Sequence, residues 1–169
     1  MDTYEYTGNV IVCHGSNIKG DVVLGEGCIV NPGAIIDGGK KGIVLGRKNI
    51  VEELVKIVNT TDEKLIIGDE NWFHVGSQVL NPRVIGNNNS FEINSRINEG
   101  CEIGSRCKIS VKTVLPHNMK VENEKCISSI DGIIVINDNN GCLNQYFDDQ
   151  ISFLQNILRG SSMEKKNKY

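Results

Sequence analysis

From Ile85 onward an aliphatic or aromatic residue returns at every sixth position: Phe91, Ile97, Ile103, Ile109, Leu115 and Val121. A helix needs apolar residues at spacings of three and four, and a half-buried strand needs strict alternation, so neither explains the run. A period of six is the hexapeptide repeat, in which each hexad makes one short strand and a corner and three hexads close one coil of a parallel β-helix. The register runs backward through Val79, Phe73 and Ile67, through Ile57, Val51 and Leu45, and through Ile36, Val30, Leu24, Ile18, Val12 and Tyr6. Two insertions interrupt it, near residues 38–42 and 60–64. Both fall in the third hexad of a coil, which predicts that they project from one edge of the prism, one above the other. About six to seven coils result, a stack roughly 25 to 30 Å long at a strand spacing of about 4.8 Å.

Two places before each opening residue stands a second inward set. It is mostly small or apolar, as at Val22, Cys28, Ala34, Ser77, Ser95, Cys101, Cys107 and Thr113. Asn49, Asn71 and Asn89 hold this slot in three successive coils and predict a buried ladder in which each amide bonds the next. Arg83 is the exception. An unpaired guanidinium inside the prism would be very costly, so a bulge beside Pro82 is expected to turn it outward.

Past Val121 the pattern loosens. Ile127 and Ile133 are still six apart, residues 133–136 read as a last strand, and Asp138-Asn139-Asn140-Gly141 is a strong break. Leu143, Tyr146, Phe147, Gln150, Ile151, Leu154, Ile157 and Leu158 then fall at helical spacings, with Asn140 as N-cap and Gly160 as the stop. The apolar face of that helix must lie along the prism, cover its last coil or meet a partner. The predicted organisation is a β-helix over residues 1–136, a linker and amphipathic helix over 137–160, and a disordered polar tail over 161–169.

Composition narrows the functions. The chain has 169 residues and a net charge of -3, without the basic footprint that nucleic-acid binding needs. No run is long enough to span a membrane, and residues 1–8 hold no apolar leader core, so a soluble intracellular protein is expected. The six cysteines form no C-x-x-C pair; Cys28, Cys101 and Cys107 fall in the small inward slot and read as buried hydrophobes rather than disulfides.

Two chemistries are expected to leave histidines on a prism of this kind. Zinc bound through three histidines, as in the gamma-class carbonic anhydrases, needs ligands at about 2.0 to 2.1 Å. His14, His74 and His117 fall on the first, fourth and sixth coils, and the outer two are separated by five strand spacings, on the order of 24 Å. One chain does not gather them. Hexapeptide acyltransferases use a histidine as general base against a hydroxyl or amine, which makes His74 and His117 formal candidates. His74 lies in a regular strand beside Phe73, and neither insertion is long enough to build an acceptor pocket. The sequence therefore assigns no catalytic, cofactor-binding or metal-binding residue.

Hexads such as Ile103-Gly104-Ser105-Arg106-Cys107-Lys108 resemble the left-handed β-helix family, and this resemblance supplies the hand. Longer stretches are more specific. Ile18-Lys19-Gly20-Asp21-Val22, Ile43-Val44-Leu45-Gly46-Arg47-Lys48-Asn49-Ile50-Val51-Glu52-Glu53 and Ile66-Ile67-Gly68-Asp69-Glu70-Asn71-Trp72-Phe73-His74-Val75-Gly76 resemble the dynactin subunit 6 family, as do Val114-Leu115-Pro116-His117-Asn118 and Arg159-Gly160-Ser161-Ser162. The chain departs from that family in a shorter N-terminus, a much shorter loop after Asn59 and a tail without Thr-Pro. The resemblance implies a non-catalytic structural subunit at the pointed end of the dynactin complex, without cofactor or metal. It implies dynactin subunit 5 (a homologous β-helix), the other pointed-end subunits and cargo adaptors as partners, in the cytoplasm and on the cytoskeleton. The alternative is a hexapeptide acyltransferase or a carbonic anhydrase-like enzyme.

Overall fold

The hexad period is realised as a left-handed parallel β-helix of about seven coils, in a computed structural model that describes residues 4–140 and 147–158. Three flat sheets form the sides of a prism. The first face has seven strands, from Tyr4–Tyr6 to Lys120–Val121; the third has six, from Asn17–Lys19 to Val114–Leu115. The second runs from Ile11–Val12 through Ile50–Val51 and Trp72–Phe73 to Lys125–Ile130, and Ile133–Asp138 adds an eighth strand at its end. Within each face, successive coils pair in parallel, so Ile67 lies beside Ile85 and Ile85 beside Ile103.

Stacking identical slots makes the interior. From Leu24 to Val121 every opening residue is buried to 3% exposure or less, and Phe73 and Phe91 stack with ring centroids 4.8 Å apart. Because the interior holds only two side-chain slots per hexad, the chain turns sharply at each corner. Asn88 (φ 57°), Asn94 (φ 56°) and Asn118 (φ 59°) make such turns in the left-handed region, where asparagine is tolerated better than branched residues.

The asparagine ladder is present. Asn71 Nδ2 donates to Asn49 Oδ1 at 3.0 Å, and Asn89 Nδ2 to Asn71 Oδ1 at 2.9 Å. The column is closed by cysteines: Cys28 Sγ lies 3.0 Å from the Gly46 carbonyl, and the Cys107 N–H donates to Asn89 Oδ1 at 2.7 Å. Cys28, Cys101 and Cys107 are buried free thiols, as the slot predicts, and Cys13, which lies outside that slot, is buried and free as well. Burial pushes the Cys28 thiol up to about 11, so it stays protonated.

Arg83 does point outward, 3.3 Å from Glu102. No bulge is needed: Val84 and Ile85 pair in register with both neighbouring coils, and the turn is made earlier, at Asn81 (φ 54°). The two insertions share an edge, as predicted. Asn59 Nδ2 donates to the Gly42 carbonyl and Lys64 reaches Asp21 at 3.3 Å.

One expectation fails at the far end. Ile127 is buried, but Ile133 is 68% exposed, so the inward register ends one hexad early. The chain instead reverses at Asp131 and Gly132, and Ile133–Asp138 pairs antiparallel with Lys125–Ile130. A hairpin needs no six-residue period, and the spacing of Ile133 is incidental to it. The helix is observed over Phe147–Leu158. Its predicted first turn with Leu143 and Tyr146, the stop at Gly160, Cys142 and the tail lie outside the described residues.

Candidate functional site

On the second face, outward positions stack as regularly as inward ones. Ile11, Ile29, Ile50 and Trp72 follow one another up one column, and the helix lies over it. Ile151 is 5% exposed and packs on Ile50 and Trp72, while Leu154 packs on Ile11, Cys13 and Ile29 as well. The helix therefore runs along the prism rather than over its end. Ile157, assigned to the buried face by spacing, is 52% exposed, because one flat sheet covers a narrower stripe of a helix than a core does.

Beside Trp72 sits a polar cluster. The His74 ring stacks on Trp72 with centroids 4.5 Å apart. Its Nδ1 is 3.5 Å from Glu52 Oε2, and its Nε2 is 3.3 Å from Ser90 Oγ and 3.9 Å from Glu92 Oε1. Glu52 also accepts from Trp72 Nε1 at 2.6 Å and from the Val75 N–H at 2.9 Å, and Lys108 stands 3.5 Å from Glu92. Burial works to raise the Glu52 carboxyl, but the hydrogen bonds from His74, Trp72 and Val75 outweigh it and hold the group below the ordinary carboxylate range. Each partner here is committed to a neighbour. Ser90 is 4% exposed and its hydroxyl donates to Glu92 at 2.8 Å, so it is not poised as a nucleophile toward substrate. The cluster ties four successive coils together and seats the tryptophan on which the helix rests.

The other histidines lie elsewhere. His14 is exposed on the first coil. His117, on the sixth, lines a cleft of about 500 Å³ with Lys64, Pro82, Arg83, Glu99 and Asn118. The structure does not bring the three histidines together, and among the described residues no group of three His, Cys, Asp or Glu side chains converges on a point. Nor does any helix among them have the length and apolarity to cross a membrane.

The outward stripe under the helix escaped the sequence reading. Its signal was present: in Ile11-Val12, Ile29-Val30, Ile50-Val51 and Trp72-Phe73 the residue before the opening one is also apolar, whereas it is polar in Ser90-Phe91 and Lys108-Ile109.

Fold and geometry together define a hexapeptide-repeat protein of the left-handed β-helix class. Solved structures of that class include a candidate acetyltransferase of Bacillus cereus, with a TM-score of 0.71 at 14% identity over 94% of this chain and 87% of that one. A UDP-N-acetylglucosamine O-acyltransferase of Moraxella catarrhalis has a TM-score of 0.57 at 12% identity, over 95% and 84%. At such identities the likeness is one of fold alone. No family profile matches the chain. Dynactin subunit 6 of Nematostella vectensis is 32% identical over 133 residues, 69% of this chain and 72% of that protein. That of Danio rerio is 33% identical over 138 residues, 71% and 70%. The chain belongs to the dynactin subunit 6 family.

Proposed function

We propose that this protein is a non-catalytic structural subunit of the dynactin complex. The identity to dynactin subunit 6 of distant animals, spread over more than two thirds of the chain, carries the reading. In it the protein sits at the pointed end of the complex beside dynactin subunit 5, a homologous β-helix. There it supports dynein-driven transport on microtubules and the attachment of cargo adaptors, in the cytoplasm and on the cytoskeleton. The histidine geometry supports a scaffold rather than a catalyst, since His74 is held by its own neighbours. No catalytic, cofactor-binding or metal-binding residue is assigned.

The test is affinity purification of the tagged full chain from its native cells, with identification of what co-purifies. Stoichiometric recovery of dynactin subunits is expected; their absence from a soluble, folded bait overturns the reading. The enzyme alternative has its own test. Saturable calorimetric binding of acetyl coenzyme A that His117→Ala weakens, or about one zinc per chain after dialysis against the stoichiometry of a catalytic site, would move the assignment to a catalyst.

A further inference from the structure

The two insertions that interrupt the hexads differ in chemistry. Residues 38–42 read Gly-Gly-Lys-Lys-Gly, and residues 60–64 read Thr-Thr-Asp-Glu-Lys. They are pressed together on one edge of the prism. Gly39 stands in the left-handed region (φ 54°), and a Cβ there would run into the carbonyl oxygen of Asn59 and lie 3.5 Å from the Cα of Thr60. Lys40 and Lys41 therefore leave the chain one layer from Thr60. Other cations of this edge are already matched: Lys19 lies 3.0 Å from Asp37, Lys64 3.3 Å from Asp21 and Arg83 3.3 Å from Glu102. Lys40 and Lys41 are exposed, and neither meets a carboxylate among the described residues.

The two threonines of the second insertion differ in a way that their sequence does not show. Thr61 is half-buried and its hydroxyl fastens the turn: it donates to Asn59 Oδ1 at 2.7 Å and accepts from the Glu63 N–H at 3.3 Å. Thr60 is exposed, and its hydroxyl meets one side chain, that of Asn81, whose Nδ2 donates to it at 3.0 Å. Asp62 and Glu63, both exposed, follow Thr60 at the second and third positions. An exposed hydroxyl on a loop outside the coil, with carboxylates just behind it, suits a kinase whose peptide cleft is basic, because complementary charge draws such a segment in. We propose that Thr60 is a phosphorylation site for an acidophilic Ser/Thr kinase, and that Lys40 and Lys41 receive the phosphate and lock the two insertions together.

In the modifying step Thr60 Oγ1 attacks the γ-phosphorus of ATP while the kinase takes its proton. The new Oγ1–P bond replaces the bond from that phosphorus to the bridging oxygen, and ADP leaves. The phosphate brings roughly two negative charges at neutral pH and three acceptor oxygens. Unmodified, the insertions are joined by Asn59 Nδ2, which donates to the Gly42 carbonyl at 2.8 Å. The phosphate adds a second joint made of charge-assisted hydrogen bonds, which are stronger than neutral ones. Repulsion from Asp62 and Glu63 turns it toward the lysines. This inference goes beyond the dynactin reading and does not depend on it.

The experiment incubates the full chain with an acidophilic kinase of the casein kinase type and magnesium ATP, then maps the modified residue by peptide mass spectrometry. One phosphate is expected, on Thr60. Thr60→Val leaves the chain unmodified, and Asp62→Lys with Glu63→Lys slows the reaction tenfold or more, since the segment then repels a basic cleft. Hydrogen exchange of residues 38–42 slows on phosphorylation. Lys40→Ala with Lys41→Ala abolishes that slowing while Thr60 is still modified. All these side chains lie on exposed loops, so circular dichroism stays that of the folded prism. The chain isolated from its native cells under phosphatase inhibition carries the same phosphate. Modification of Thr61 in place of Thr60, a Thr60 left unmodified by the kinase or in the native chain, or exchange indifferent to the phosphate or to the two lysines overturns the proposal.

Discussion

Asn71 donates from its side-chain amide to the side-chain carbonyl of Asn49 at 3.0 Å, and both residues are wholly buried. The same Asn71 amide also donates to the carbonyls of Gly68 and Gly86, at 3.1 and 3.0 Å, while its oxygen accepts from the amide and the backbone N–H of Asn89. Asn71→Leu preserves the volume and deletes all of these. Buried groups left without partners on both neighbouring coils should lower stability by about 1 to 3 kcal/mol, read as a fall in the urea midpoint at constant slope. An unchanged midpoint would place the amide outside the energetics of the prism.

Gly68 tests the closeness of the coils rather than their hydrogen bonds. A Cβ there would meet the side-chain oxygen of Asn87 and lie 2.7 Å from the carbonyl oxygen of Gly86. Backbone cannot step aside as a flexible side chain can, so Gly68→Ala should cost about 1 to 3 kcal/mol through overpacking, despite the usual gain in backbone stiffness. Thermal unfolding measures this, and a variant as stable as the parent would show that the coils slide apart freely.

Glu52 links stability to pH. Its folded-state pKa lies below the unfolded value, so its contribution is fully present above the ordinary carboxylate range and is lost as pH falls through the folded value. Glu52→Gln removes the charge and with it that linkage. The stability difference between parent and variant should be largest near neutrality and shrink below about pH 4.5. Equilibrium unfolding at a series of pH values tests this; a difference that grows on acidification would mean the carboxylate is destabilising in the fold.

The helix is a separable layer. Ile151 touches Ile50 and Trp72 from outside, while the prism interior is closed without it. Ile151→Asp should detach the helix, at a loss of roughly 1.5 to 3 kcal/mol of apolar burial, yet leave the melting of the prism nearly unchanged. Trp72 is the one tryptophan of the chain, so its emission reports the event directly and should shift to the red. Emission identical to the parent would mean that Trp72 stays shielded from water without Ile151.

The sequence by itself determined the coil. A six-residue period with two inward slots has one geometric solution, and Leu24, Phe73, Phe91 and Ile103 had to face inward because nothing else lets seven coils share one core. The same periodicity placed Asn49, Asn71 and Asn89 in one column and both insertions on one edge, since each is a statement about which positions stack. What periodicity leaves open is everything set by contacts outside the repeat. Ile133 kept the spacing and still lies on an exposed hairpin, because once the last coil has no successor the chain is free to reverse. Only the tertiary structure chose the second face for the helix, where Ile11, Ile29, Ile50 and Trp72 offer an apolar bed and the first face offers Ile66 and Val84 flanked by bare glycine. It also decided the surroundings of His74, whose two ring nitrogens face Glu52 and Ser90 from coils that lie 22 and 16 residues away along the chain. A repeat fixes what stacks within a column; which column another element covers depends on the relief and chemistry of whole faces, and those exist only once the coils are closed.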